Sequence, residues 1–258
     1  MAELLFWPAL LLYGEAAVGY FGDIRRPGRA GRAATWGVRL GWLAQTALLA
    51  VQVVGTDGGF PWSSWAGTLN LFVWFLVGTY LIWGCRPRFR LLGLTVMPLA
   101  ASLFLIARIG GGTNARVSHY GDLFLVLHVG MLTAAFAGFT LAAGLAALYL
   151  WQEHRLKGRA PDILKMRLPP LASLEFLAWR TILVSVPLLT LGLLIGVIRQ
   201  QRDGGTFDER ELLTLFAWIV YGGLLASRPT GRRAACLALG GFALVVIARV
   251  ALAGSHFT

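Results

Sequence analysis

The sequence predicts an all-α membrane protein, a bundle of about eight spanning helices, on the strength of three observations. Hydrophobic residues make up 57% of the 258-residue chain and charged residues only 14%, too few to cover a water-soluble surface. The mean hydropathy of +0.68 is concentrated in runs that approach the ~20 apolar residues needed to cross a bilayer. The connections between these runs alternate in charge.

In chain order the apolar segments are Ala2–Tyr20, Trp36–Val54, Ala66–Gly84, Leu91–Ala107, Leu123–Trp151, Ala178–Ile198, Glu211–Leu225 and Ala234–Ala253. The first follows "MAELLFW", which is acidic where a secretory leader is basic, so it is expected to be kept as a helix. Pro8, Pro98 and Pro187 fall inside segments, where each frees a backbone carbonyl and permits a kink. The seventh segment is the shortest. With no internal repeat and no sizeable soluble segment apart from Gln152–Leu177, residues 1–258 are expected to form a single membrane domain.

The basic connections contain Arg25, Arg26, Arg29 and Arg32 after the first segment, and Arg86, Arg88 and Arg90 after the third. Arg155, Lys157, Arg159, Lys165 and Arg167 follow the fifth, and Arg228, Arg232 and Arg233 the seventh. All four therefore share one side, which the positive-inside rule makes cytoplasmic, with both termini external. The net charge of +11 is accounted for by these loops without any nucleic-acid partner. Cys85 and Cys236 lie beside the basic loops and are expected to be reduced thiols. No C-x-x-C-H occurs, so covalently attached haem is not expected.

This orientation sorts the four histidines: His119, His128 and His256 are external and His154 is cytoplasmic. His128 and His256 stand at comparable depth where helices meet the surface. They read either as interfacial polar residues or as an axial pair for haem iron, which accepts an imidazole on each face. Gly130, Ala134, Gly138, Ala142 and Ala146 make a small-residue stripe on the fifth helix, read as a packing surface that would hold His128 in place. Arg249 lies seven residues before His256, nearly on the same helix face, and either snorkels or pairs with an anionic ligand such as a haem propionate. Arg199 and Arg108, at external helix ends, have the same two readings. Phe60, Trp62 and Trp65 in "GGFPWSSW" form an aromatic belt or a cover for a planar ring. Glu15 inside the first segment marks a polar pathway or an interhelical hydrogen bond.

From about Gly55 to the C-terminus the chain resembles the cytochrome c assembly family, the haem-handling membrane proteins of the CcsA and HemX type. The resemblance lies in the external loop "GGFPWSSWAGTLNLFVW", the helix "LHVGMLTAAFAGFTLAAGLAALYLWQEHRLKG" and the segment "LPPLASLEFLAWRTILVSVPLLTLGLLIG". "WIVYGGLLASR", "GRRAACLALGGFALV" and the terminal histidine complete it. It implies that His128 and His256 match the family's two external haem ligands. The family's tryptophan-rich motif, W-G-x-x-W-x-W-D followed by P-K-E, is largely missing. Aligned on Trp218 and Tyr221, its tryptophans fall on Gln201, Gly205 and Phe207, while Asp208, Arg210 and Glu211 fall on D-x-K-E. The family's intramembrane histidine falls on Ala226. The pattern is similar to the HemX-type branch, associated with haem biosynthesis and the level of glutamyl-tRNA reductase.

The expected function is non-covalent binding of haem b at the external membrane face. His128 and His256 would be its axial ligands, Arg249 would stand at a propionate, and Phe60, Trp62 and Trp65 would lie over the ring. No nucleophile–base or acid–base pair points to an enzyme. Expected partners are haem, the lipid bilayer and either a cytochrome c assembly protein or a haem-synthesis enzyme, in the bacterial cytoplasmic membrane. Two alternatives stand beside this one: a regulator acting through Gln152–Leu177, and a transporter whose path Glu15 would line.

Overall fold

A computed structural model of the chain describes residues 2–25, 28–55, 62, 64–83, 90–113, 123–158, 169–203 and 209–254. Eight α-helices run in order among them: α1 (Ala2–Arg25), α2 (Arg29–Val54), α3 (Trp65–Trp83), α4 (Arg90–Ile109), α5 (Leu123–Lys157), α6 (Leu171–Asp203), α7 (Glu209–Ser227) and α8 (Gly231–Gly254). The all-helical architecture expected from the hydropathy pattern is the one found. Six helices, α1 to α6, are long and apolar enough to cross a bilayer, and α7 contains a shorter apolar stretch, Leu212–Ser227. The protein is a multi-pass membrane protein.

Several helices outrun their apolar segments, because polar residues continue a helix once it has left the hydrocarbon. At 1.5 Å per residue the 35 residues of α5 span roughly 50 Å, well beyond the ~30 Å hydrocarbon core. Helix α6 starts at Leu171, directly after the Pro169–Pro170 pair, and the Pro170 carbonyl accepts from the backbone N–H of Ser173 and of Leu174. Helix α2 starts seven residues before its apolar stretch, at Arg29. The Asp23 carboxylate accepts from the N–H of Gly28 at 2.9 Å and of Gly31 at 3.2 Å, satisfying donors that the first turn leaves without helical partners.

The helices gather into two compact units: residues 1–126 with 161–169, and residues 127–160 with 170–258. The first unit holds α1 to α4. Its polar centre is a chain of buried amides. Tyr13 Oη donates to Gln45 Oε1 at 2.7 Å, and Gln45 Nε2 donates to Asn70 Oδ1 at 2.9 Å. Asn70 Nδ2 reaches Gln52 Oε1 and the Gly112 carbonyl, both at 3.3 Å, and Gln52 Nε2 also donates to that carbonyl at 3.1 Å. Helices α1, α2 and α3 are thus tied to the turn after α4. That turn needs glycine twice: Gly111 has φ +81°, and Gly112 lies against the Ala66 backbone, where a Cβ has no room. Trp42 stacks on Trp74 with ring centres 5.2 Å apart, adding an α2–α3 contact.

The second unit holds α6 to α8 and nearly all of α5. Phe139 of α5 stacks on Tyr221 of α7 with ring centres 3.8 Å apart and planes 9° from parallel, and Tyr221 Oη donates to the Ala238 carbonyl of α8 at 3.2 Å. Trp218 Nε1 donates to Thr190 Oγ1 at 2.8 Å, joining α7 to α6. The small-residue stripe packs at Gly138, Ala142 and Ala146, which are buried, and is only half-buried at Gly130 and Ala134. Gly138 faces Ser185 and Thr181 of α6, so closely that an added Cβ would collide with the Ser185 hydroxyl.

Gly138→Val should therefore destabilise the protein by roughly 1–3 kcal/mol, read as a lower unfolding midpoint in detergent. Gly144→Ala, one and a half turns further along α5 with open space around its added methyl, should be neutral or stabilising by up to ~1 kcal/mol. In the first unit Asn70→Ala removes the hinge of the amide chain, and should cost about 1–3 kcal/mol in the same measurement.

Candidate functional site

His128 lies in the second turn of α5, half-buried. Its Nδ1 is 2.7 Å from the Gly192 carbonyl of α6. A carbonyl only accepts, so Nδ1 carries a proton; in the neutral ring the lone pair is then on Nε2, the form in which imidazole binds a metal through Nε2. A hydrogen bond from the other ring nitrogen to a backbone carbonyl is also the arrangement that orients a metal-binding histidine.

The ring rests on Gly196, one helical turn beyond Gly192. A Cβ there would stand 2.5 Å from His128 Cε1 and 2.8 Å from Nδ1, both inside contact distance. Just below, Leu132 packs on Gly192, where a Cβ would be 2.9 Å from Cδ2. The pair Gly192-x-x-x-Gly196 thus forms a flat shelf on α6: one glycine supplies the acceptor and the other the space. The sequence reading missed this shelf, although the G-x-x-x-G spacing in "LGLLIG" is a close-approach signal in an apolar helix. Arg199 follows Gly192 and Gly196 at seven- and three-residue spacing, so it shares their helix face one turn nearer the α6 C-terminus.

The other expected site residues are placed as follows. Arg249 lies within α8, with its side chain outside the described residues, and Phe60, His119 and His256 lie outside them altogether. Trp62 and Trp65 belong to the first unit. Trp62 is half-buried, and its carbonyl accepts from Thr68 Oγ1 at 2.8 Å. Trp65 opens α3, and its ring covers Gly110, where a Cβ would be 2.5 Å from Cζ2. Arg108 sits 5.8 Å from the centre of the Phe6 ring, a cation–π geometry within its own unit. Glu15 is on the exposed side of α1 rather than among the buried amides. Cys236 is a free, exposed thiol.

The model of the family described as "Cytochrome C assembly protein" matches residues 62–253, most of the chain. The chain belongs to the cytochrome c assembly protein family. Protein HemX of Brevibacillus brevis is 31% identical over 234 residues, covering 86% of this chain and 84% of that protein. Protein HemX of Bacillus subtilis (strain 168) is 27% identical over 193 residues, covering 73% and 70% respectively. The cytochrome c biogenesis protein CcsA of Guillardia theta is 27% identical over 220 residues, covering 74% and 72%. No solved structure matches the chain significantly. His128 with its glycine shelf falls inside the region that the family model matches.

The tautomer is directly measurable. Nitrogen-15 spectra of histidine-labelled protein in detergent should show His128 with a protonated Nδ1. Gly196→Ala should displace the ring and broaden or shift these signals; a native His128 with an unprotonated Nδ1 would contradict the geometry.

Proposed function

We propose that this protein holds haem b non-covalently at the membrane face where α5 begins, with His128 and His256 as the axial ligands. The observation that carries the reading is the donation from His128 Nδ1 to the Gly192 carbonyl. In the neutral ring it puts the lone pair on Nε2, and the ring is seated against Gly196. Haem supplies an iron centre that takes an imidazole nitrogen at each axial position. The chain itself supplies an oriented imidazole in an apolar setting, with cationic groups for the propionates. Arg249 shares a helix face with His256 by sequence spacing, and Arg199 shares one with the glycine shelf; both are assigned to that role.

The setting is the bacterial cytoplasmic membrane, with the α5 N-terminus outside, as the distribution of arginine predicts. Without the tryptophan-rich platform, the protein holds or moves haem rather than presenting it to an apocytochrome in the full family manner. Similarity to two HemX proteins supports placing it beside that branch. This leaves regulation of a haem-synthesis enzyme through residues 152–177 as the second reading.

Purified protein titrated with haem should give a low-spin absorption spectrum. His128→Ala and His256→Ala should each lower affinity by about tenfold or more and shift the spectrum toward high spin, a loss of at least ~1.4 kcal/mol. Arg199→Gln and Arg249→Gln should weaken binding less and leave the spectrum low-spin. Spectra unchanged in both histidine variants would overturn the ligand assignment. A protein that binds no haem would instead bring the regulatory reading forward, tested by capturing a cytosolic partner that depends on residues 152–177.

A further inference from the structure

At the end of the second unit remote from His128, helices α5 to α8 enclose a cavity of about 350 Å³. This is within the ~300–1,000 Å³ range of small-molecule sites. Leu145, Ile182, Leu224 and Ala238 form its apolar walls, and no histidine, cysteine or methionine lines it, so no soft metal ligand is offered there. An occupant is recognised by its apolar body and by the charge at the mouth.

The cavity's charged lining is Arg228 and Glu175, with two further arginines next to it in the chain. Arg228 lines it and is exposed, and Arg232 and Arg233, also exposed, follow in the first turn of α8. The facing acid is Glu175, whose Oε1 accepts from the backbone N–H of Gly231 at 2.7 Å and so caps the start of α8. The backbone of Arg228 is unusual. Its φ is +44°, and its N–H returns to the Leu224 carbonyl at 3.1 Å, closing α7 with a left-handed residue. Glycine occupies such a position without strain, whereas an arginine there is strained by its Cβ. The strain coincides with a charged side chain at the mouth of an apolar cavity.

The geometry points to a binding site for an anionic phospholipid: an acyl chain fills the cavity, and the headgroup phosphate is received by Arg228. Basic pockets between spanning helices on the cytoplasmic side are suited to this chemistry, and the arginine distribution predicts that side for this end of the unit. The phosphate bears a full negative charge, so it gains from Arg228. The acyl chain replaces lipid contacts with contacts to Leu145, Ile182 and Leu224.

The test is native mass spectrometry of the full chain after equilibration with vesicles of phosphatidylglycerol or of phosphatidylcholine. The expected result is one retained phosphatidylglycerol per chain and at least fivefold less phosphatidylcholine. Arg228→Gly should cut retained phosphatidylglycerol at least fivefold while keeping or raising the unfolding midpoint, because the left-handed position suits glycine. Ala238→Leu, which narrows the cavity, should give the same loss, and if it fails to fold Arg228→Gly alone decides. Equal retention of both lipids, or full retention by Arg228→Gly, would overturn the site. Displacement of the lipid by palmitate would show that a free fatty acid is the occupant, and displacement by haem that a tetrapyrrole is; either would sink the phospholipid assignment. None of these outcomes depends on His128.

Discussion

Helices α5 and α6 meet through a run of contacts in which one partner is reduced to backbone or nearly so. Gly138 faces Ser185 and Thr181, Leu132 packs on Gly192, and His128 rests on Gly196. In a bilayer the hydrophobic effect does not press two helices together, because lipid tails solvate leucine as well as another helix does. Close approach has to come from small residues and from interhelical hydrogen bonds. The same approach that lets the backbones pack also brings the Gly192 carbonyl within reach of an imidazole on the neighbouring helix. Helix packing and the orientation of the His128 ring are one contact, and a larger residue at either glycine of the shelf disrupts both.

The two units meet the demands of a membrane interior differently. The first buries the polar side chains of Tyr13, Gln45, Gln52 and Asn70 as a connected chain, satisfied by one another and by the Gly112 carbonyl, since no water in hydrocarbon can do so. The second relies on aromatic stacking and on single hydrogen bonds between helices, such as those made by Trp218 and Tyr221. At one end it fits an imidazole closely, and at the other it leaves open volume lined by Arg228 and Glu175.

Much of the architecture was legible in the sequence. Apolar runs of about twenty residues are forced into helices by the absence of backbone partners in lipid, and all eight were found in the places expected. Their ends were less legible, because α2, α5 and α6 continue as ordinary polar helices outside the hydrocarbon, where no hydropathy change marks the stop. The stripe on α5 was readable from spacing, but not that only Gly138, Ala142 and Ala146 would be buried, since that depends on where α6 crosses. His128 could be singled out as a histidine at a helix mouth.

By itself, then, the sequence determined the class, the number of helices and the family. These follow from composition, period and motif, which are properties of the chain taken locally. Tertiary structure decided which nitrogen of His128 carries its proton, because that choice belongs to a carbonyl 64 residues away on another helix. It also decided that Arg228 stands at the mouth of a cavity, because that cavity exists only where four helix ends converge. Contacts between distant segments have no one-dimensional signature beyond small residues that allow them, and both the His128 seat and the cavity are made of such contacts.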